Sequence, residues 1–521
     1  MRAVRAAGDR ALLAEEPSLD AVRRLHAALR ARPLPGQRDV VAAARTVLVS
    51  FATPWHAARG RSALASLDPG ERGAGADPRS VVVDVVYDGD DLGEVGRLTG
   101  LGPDSVVRAH TESEWHAAFG GFAPGFMYLA GGDATLAVPR RDAPRTSVPE
   151  GSVALAGGFS AVYPRSSPGG WRIIGRTSAR MWDVAREEPA LVRPGDVVRF
   201  RAVRELVSAA PAPLAAPLDP SSGLEVRETG PQALLQDQGR PGLADLGASA
   251  SGAADPRAAR EANSLVGNPA GAAVIESLLG GLAVRARGDR VVAVCGAPCA
   301  VEVEIADGGT RDEPFGAPFA LRDAETVRIG APVHGLRVVL AVRGGIDVPP
   351  VLGSRSTDTL GGVGPAPLRT GDVLPAGDGR RLDAVGAPAP EPEVPVRAPL
   401  RIVPGPRDDW FGPEELAQLT SASWVVGPQT DRVGARLLPD ADDPAARPLR
   451  RREGELPSEG VVRGSLQVPP SGEPVLFGPD HPVTGGYPVI AVVVADDLSR
   501  AAQLRPGDRV RFALRDAPPA T

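Results

Sequence analysis

The chain has 521 residues, more than one hydrophobic core usually supports, so three or four domains are expected. A formal charge of -6 gives no reason to expect nucleic acid as a partner, and no run of about 18 apolar residues offers a membrane-spanning helix. With 62 Gly and 54 Pro, long helical bundles are disfavoured.

In chain order, residues 1–85 read as a small α+β unit. Residues 1–9 lack the apolar core of a signal peptide, so a cytoplasmic location is expected. Residues 19–30 place apolar side chains at helical spacing with Arg on the other face. Residues 47–51 and 81–87 are strands rich in β-branched residues. Asp90-Asp91-Leu92 opens a short helix with an acidic cap. Residues 86–205 are dense in turns, and the Ala/Pro stretch within 206–222 reads as an extended linker. In residues 223–386, Asp255 caps the clearest helix, with Pro256 in its first turn and Gly267 at its end. Strands follow at 291–295 and 336–342. A second Pro-rich linker, 387–397, leads to residues 398–521, with strands at 424–426, 466–468 and 489–494. Few helices and many short strands predict closed β-barrels.

A recurrence supports this division. Arg193-Pro194-Gly195-Asp196 returns as Arg505-Pro506-Gly507-Asp508, with a weaker copy at Arg369-Thr370-Gly371-Asp372. Each follows a Gly-Gly-apolar step, at Gly169-Gly170-Trp171, Gly344-Gly345-Ile346 and Gly485-Gly486-Tyr487. The shared order predicts three related units, each closing with a tight turn and a final strand.

All 58 basic side chains are Arg, and there is no lysine. That excludes a biotin attachment site, a pyridoxal Schiff base, a P-loop lysine and a Ser-Lys dyad, because Arg stays protonated and is a poor nucleophile. Cys295 and Cys299 are spaced one residue too widely for a redox pair and read as strand-end thiols. The six histidines form no ligand spacing, and no metal site is expected. What remains is Gly-rich turns bearing Arg and Asp. Pro139-Arg140-Arg141-Asp142-Ala143-Pro144-Arg145 suits an anion grip but reads more readily as a solvated turn. Gln236-Asp237-Gln238-Gly239-Arg240 and Gly353-Ser354-Arg355-Ser356-Thr357-Asp358 concentrate hydroxyls, carboxylates and guanidinium groups.

These motifs carry a resemblance. Gly121-Phe122-Ala123-Pro124-Gly125-Phe126, Pro139-Arg140-Arg141, Ser167-Pro168-Gly169-Gly170-Trp171 and Gly175-Arg176-Thr177 resemble the B subunit of 5-oxoprolinase, the KipI or allophanate hydrolase subunit 1 family. Gln236-Asp237, Gly239-Arg240-Pro241-Gly242, Ala262-Asn263, Glu276, residues 353–358, Ser458-Glu459-Gly460, Gln467-Val468-Pro469 and Thr484-Gly485-Gly486-Tyr487 resemble its C subunit, the KipA or allophanate hydrolase subunit 2 family. The whole resembles a natural fusion of the two. Two departures stand out: Gly158-Phe159-Ser160-Ala161 where Gly-Gln-Thr-Gly is expected, and Asp480-His481-Pro482-Val483 in place of an Asp-x-x-Thr run.

The resemblance implies a mainly β fold, tandem cyclophilin-like β-barrels behind a small N-terminal α+β domain. It implies a share in ATP-dependent opening of 5-oxoproline to glutamate, with Mg²⁺ and a separate A subunit. Phosphorylation of the lactam oxygen would turn a poor leaving group into a good one, and such a site needs cationic donors and a carboxylate. Asp237 and Asp255 are therefore the expected catalytic carboxylates. Arg141, Arg145, Gly169, Gly170, Arg176, Arg240, Arg355, Ser356, Gly485, Gly486 and Tyr487 are the expected substrate- or phosphate-binding residues. Alternative readings are an accessory component of urea carboxylase or allophanate metabolism, and a regulatory inhibitor of a sensor histidine kinase.

Overall fold

The computed structural model describes residues 2–70, 79–206, 222–387 and 398–515. Nearly all of both expected linkers lies outside these residues.

At the N-terminus, Ser18 caps the helix Leu19–Ala31 by accepting from Ala21 N–H at 3.2 Å. Its buried face, Val22, Leu25, His26 and Leu29, follows the predicted spacing. It packs with a second helix, Pro54–Ser66, on a four-stranded antiparallel sheet ordered Val4–Ala6, Ala11–Glu15, Thr46–Phe51, Gln37–Ala42. Asp39 on the edge strand accepts from Gly242 N–H of the middle unit at 2.8 Å. Burial, reinforced by neighbouring Asp245, pushes its carboxyl up to about 6. The folded value lies above the ordinary 3.8. Its contribution to stability is therefore present below about pH 4 and lost as pH rises through 6. Asp39→Asn should raise Tm at pH 7.5 and give a shrinking gain toward pH 4; a pH-independent change in the melting series would contradict this.

The strand Ser80–Val85 opens a seven-stranded sheet and pairs in parallel with Val197–Ala202, the strand that ends the unit. At the sheet's two edges, Val86 bridges Arg176, which curls the sheet into a nearly closed barrel. The last unit is built the same way. Its first strand, Leu400–Pro404, pairs in parallel with Phe512–Leu514, and the eight-stranded sheet meets itself through the neighbouring Arg509–Val510 and Phe512–Leu514. Between them, a six-stranded and a five-stranded sheet enclose one core that includes Leu224, Val226, Ile275, Val294 and Leu340.

The three recurring turns are geometrically alike. Asp196, Asp372 and Asp508 each accept from the backbone N–H three residues earlier, at 2.9, 2.7 and 2.7 Å. The glycine before each has φ of 99, 94 and 90°, a left-handed backbone that disfavours side chains. Each turn brackets one strand residue, Ala117, Val226 or Val426, with two backbone bonds of 2.8 and 2.9 Å. In the two barrels the equivalence extends further: the Trp115 and Trp424 indole N–H groups each donate to the carbonyl five residues upstream.

It reaches an ion pair of opposite polarity. Gly89 and Asp91 N–H donate to the carbonyls of Ile174 and Ile173, as Gly405 and Arg407 N–H do to Ile490 and Val489. Arg145 pairs across a two-stranded lip with Gly169, as Glu459 pairs with Gly485. The first barrel thus holds Asp91 against Arg145 where the last holds Arg407 against Glu459. The sequence predicts an acidic cap within Asp90-Asp91; Asp91 stands at the cap position, yet its side chain makes no cap bond and instead accepts from Arg141, Arg145 and Ile173 N–H. Two guanidinium groups outcompete one backbone donor, and they hold its carboxyl below the ordinary range despite burial.

Candidate functional site

Four loops from three units meet at one place. Gly121–Phe126 of the first barrel is its hub: Gly125 N–H donates to Leu246 of the middle unit at 2.9 Å, and Phe122 N–H to Thr484 Oγ1 of the last barrel at 3.3 Å. Gly121 is required there, since a Cβ would lie 2.2 Å from Thr484 Oγ1. Residues 236–253 and 352–364 of the middle unit and 479–484 of the last barrel complete the junction. Arg165 of the first barrel donates to the Leu360 carbonyl. Among the described residues, five that are not glycine have positive φ, and Phe122, Ser251 and Leu352 belong to these loops. Such backbone persists only where its surroundings over-determine it, and it gathers at functional sites.

Asp237 and Asp480 organise the junction. Asp237 Oδ1 accepts from Ser354 and Ser356 hydroxyls at 2.6 Å and from Gly239 N–H at 2.7 Å, while Oδ2 accepts from Arg355 N–H at 2.6 Å. With both oxygens engaged, it holds the 353–358 loop in place. Asp480, fully buried, accepts from Ser251 Oγ at 2.7 Å, Thr359 Oγ1 at 2.8 Å and Arg432. Arg432 crosses from the last barrel to Glu276 and the Gly252 carbonyl of the middle unit. Its attraction to these carboxylates outweighs burial and raises its pKa, and Asp480's falls for the same reason.

Against this satisfied frame, one group of polar atoms stands without partners. Among the described residues, thirteen buried side-chain N and O atoms make no hydrogen bond, and five of them are Gln236 Oε1, Arg240 Nε and Nη1, Thr357 Oγ1 and Asp358 Oδ2. Thr357 N–H donates to Leu235 and Gln236 Nε2 to the Thr357 carbonyl, so the two segments lie side by side. Arg240 and Asp358 are each 2% exposed. Burial, with Asp480 nearby, pushes the Asp358 carboxyl up to about 6, so its protonated form is accessible near neutral pH. A cation with free donors beside a carboxyl that can carry a proton is equipped to bind an anion and donate to a carbonyl.

The expected site residues fall in several places. Asp237, Arg240 and Ser356 come together here, and Arg355 joins them through its N–H, while its guanidinium reaches Asp347 and the Val348 carbonyl. Asp255 does not: its Oδ1 accepts from Ala258 N–H as a helix cap and Oδ2 from Gln503, which fixes the middle unit to the last barrel. Arg141 and Arg145 surround Asp91, and Gly170 accepts from Arg141 N–H beside Gly169. Arg176 lies exposed on Asp88. Gly485 lines the opposite lip, with Gly486 and the half-exposed Tyr487 following it. Asp358 closes one of the polar sequence motifs, but its importance comes from burial and Asp480, which no local pattern reveals.

The first departure fills the barrel interior. Phe159 packs edge-on to Phe119 and Tyr128. Ser160 Oγ lies 2.8 Å from His110 Nε2, with Tyr87 OH 2.7 Å from the other ring nitrogen. Ser160 and His110 are fully buried, and desolvation lowers His110 to about 3, so this is a neutral packing network. The second departure keeps Asp480 and changes the position three residues on, where Val483 is buried in an apolar cluster with Leu13, Val41 and Leu48.

The family description "Carboxyltransferase domain, subdomain A and B" matches residues 246–514, and "Carboxyltransferase domain, subdomain C and D" matches residues 2–192. The chain is similar to the C subunit of 5-oxoprolinase from Escherichia coli K12, 35% identical over 56% of this chain and 90% of that protein. It is also similar to the B subunit of 5-oxoprolinase from Bacillus subtilis, 42% identical over 24% of this chain and 54% of that protein. Urea amidolyase of Lachancea kluyveri is 31% identical over 55% of this chain but only 17% of its own length. The solved structure of the protein TTHA0988 superposes with a TM-score of 0.85 at 35% identity, covering 97% of this chain and 99% of that one. Together these matches agree with a single chain joining B-like and C-like parts.

Proposed function

Because the chain belongs to the carboxyltransferase-domain family, we propose that it is the joined B and C component of an ATP-dependent 5-oxoprolinase, acting in the cytoplasm with a separate A subunit. The observation carrying this reading is that the junction is complete only when both parts are present. The first barrel brings Gly121–Phe126 and Arg165, and the C-like part brings Arg240, Asp358 and Asp480. The chemistry fits a small, polar, anionic substrate: Arg240 supplies positive charge and Asp358 a movable proton. ATP, with Mg²⁺, enters as the co-substrate of the assembled enzyme.

The test is reconstitution. The purified chain mixed with a cognate A subunit, ATP, Mg²⁺ and 5-oxoproline should release glutamate and phosphate together, and neither protein alone should release much glutamate. Turnover by this chain alone would refute the division of labour. Absence of turnover in the mixture, with stimulation of a urea carboxylase instead, would favour the accessory reading suggested by the urea amidolyase relatives.

A further inference from the structure

We propose that the seam between the middle unit and the last barrel holds a binding site for a small planar monoanion, a carboxylate no larger than acetate. A cavity of about 40 Å³ lies in this seam, lined by Arg337 of the middle unit and Arg463 of the last barrel. Roughly 10–15 Å³ accommodates one water, so the space admits about three or four non-hydrogen atoms. Its two guanidinium groups are the poorly matched charges of the seam, because Arg432 takes both Asp480 and Glu276. Arg337 is 4% exposed and makes one long bond of 3.4 Å from Nη1 to Glu276, while its buried Nε has no partner. Among the described residues its Nη2 makes no hydrogen bond either. The Nε–Nη2 edge is therefore open, and that edge takes a carboxylate through two parallel bonds. Arg463 makes no ion pair among the described residues and donates only to the Ala253 and Ala254 carbonyls. Burial, and after it Arg432, push the Arg463 guanidinium down to about 10, and burial lowers Arg337 as well. Two cations in one wall without carboxylates of their own are stabilised by an anion. Asp431, the exposed member of the lining, has its Oδ1 engaged by Val433 and Gly434 N–H at 2.8 and 3.1 Å.

The rest of the lining selects the kind of anion. Leu336, Leu476, Phe477, Leu498 and Leu504 offer methyl groups and a ring but no donors. A dianion such as phosphate would leave oxygens unbonded against them, whereas acetate sets its oxygens on the guanidinium groups and its methyl on the leucines. Because the two arginines belong to different units, an anion shared by them binds only the joined seam and so stabilises the fold by linkage.

The experiment is calorimetric titration of the full chain at pH 7.5 with acetate, bicarbonate, phosphate and acetamide, the last matching acetate in shape without its charge. Acetate should bind, and acetamide and phosphate should each bind at least tenfold more weakly. Bicarbonate tighter than acetate would support the site with bicarbonate as its occupant, and bicarbonate weaker than acetate would support a short organic acid. Arg337→Gln should weaken acetate at least tenfold. Ala501→Leu, which fills the cavity and keeps both arginines, should do the same in protein that melts cooperatively. Acetate should also raise the Tm of the wild type and leave that of both variants unmoved. The proposal is overturned if the wild-type chain does not bind acetate, if acetamide or phosphate binds as well, or if either folded variant binds normally.

Discussion

Arg432→Met should destabilise the protein by about 3–5 kcal/mol, the cost of removing one partner from a buried ion network. The side chain is 1% exposed and makes bonds of 2.9 and 3.0 Å to the two oxygens of Asp480, one of 2.7 Å to the Gly252 carbonyl, and another to Glu276. Without it, two carboxylates in a dry seam lose their strongest counter-charge. Arg337 compensates little, because its contact with Glu276 is 3.4 Å long. The loss should be visible as a lowered urea midpoint. It should ease as pH falls, because an unpaired Asp480 can then take up a proton; in the intact protein Asp480's depressed pKa works the other way and costs stability at low pH. A loss under 1 kcal/mol would mean that the last barrel is not anchored through this residue.

Features set by neighbours in sequence are legible, and features set across the fold are not. The Pro/Thr-Gly-Asp turns can be read because the glycine conformation and the Asp bond are complete within four residues. The helix after Asp255 announces its own cap for the same reason. Asp91 looks like a cap locally but is claimed by arginines 50 and 54 residues away. Arg432 gives no local signal beside Asp431, since its meaning depends on Glu276, 156 positions earlier. Of the junction, the 236–240 and 353–358 motifs are visible as unusual polar turns. Which carboxylate in them is already satisfied and which is free depends on serine hydroxyls and burial that no spacing reports. Local pattern therefore favours Asp237, although Asp358 holds the free oxygen.

The inverted ion pair gives the sharpest separation of roles. In the first barrel, Asp91 is satisfied by Arg141 and Arg145 of its own unit. In the last barrel, Arg407 is bound by Glu459 of its own unit and by Glu15 from the N-terminal sheet. One barrel closes its mouth internally, while the other borrows a carboxylate from the opposite end of the chain. Arg407→Met should therefore cost about 3 kcal/mol, because Glu459 is left buried without a counter-charge. Burial already raises the Glu459 pKa, and losing the guanidinium removes what opposes that rise. Adding Glu459→Gln to Arg407→Met should return most of the loss, since replacing both charges removes the unpaired ion rather than creating one. Asp91→Asn should behave differently, because Arg141 and Arg145 remain partly exposed and water can solvate them; about 1–2 kcal/mol is expected. Urea midpoints for these three variants decide the matter. A double variant no better than Arg407→Met alone would show that geometry at the lip, and not charge, is what Arg407 supplies.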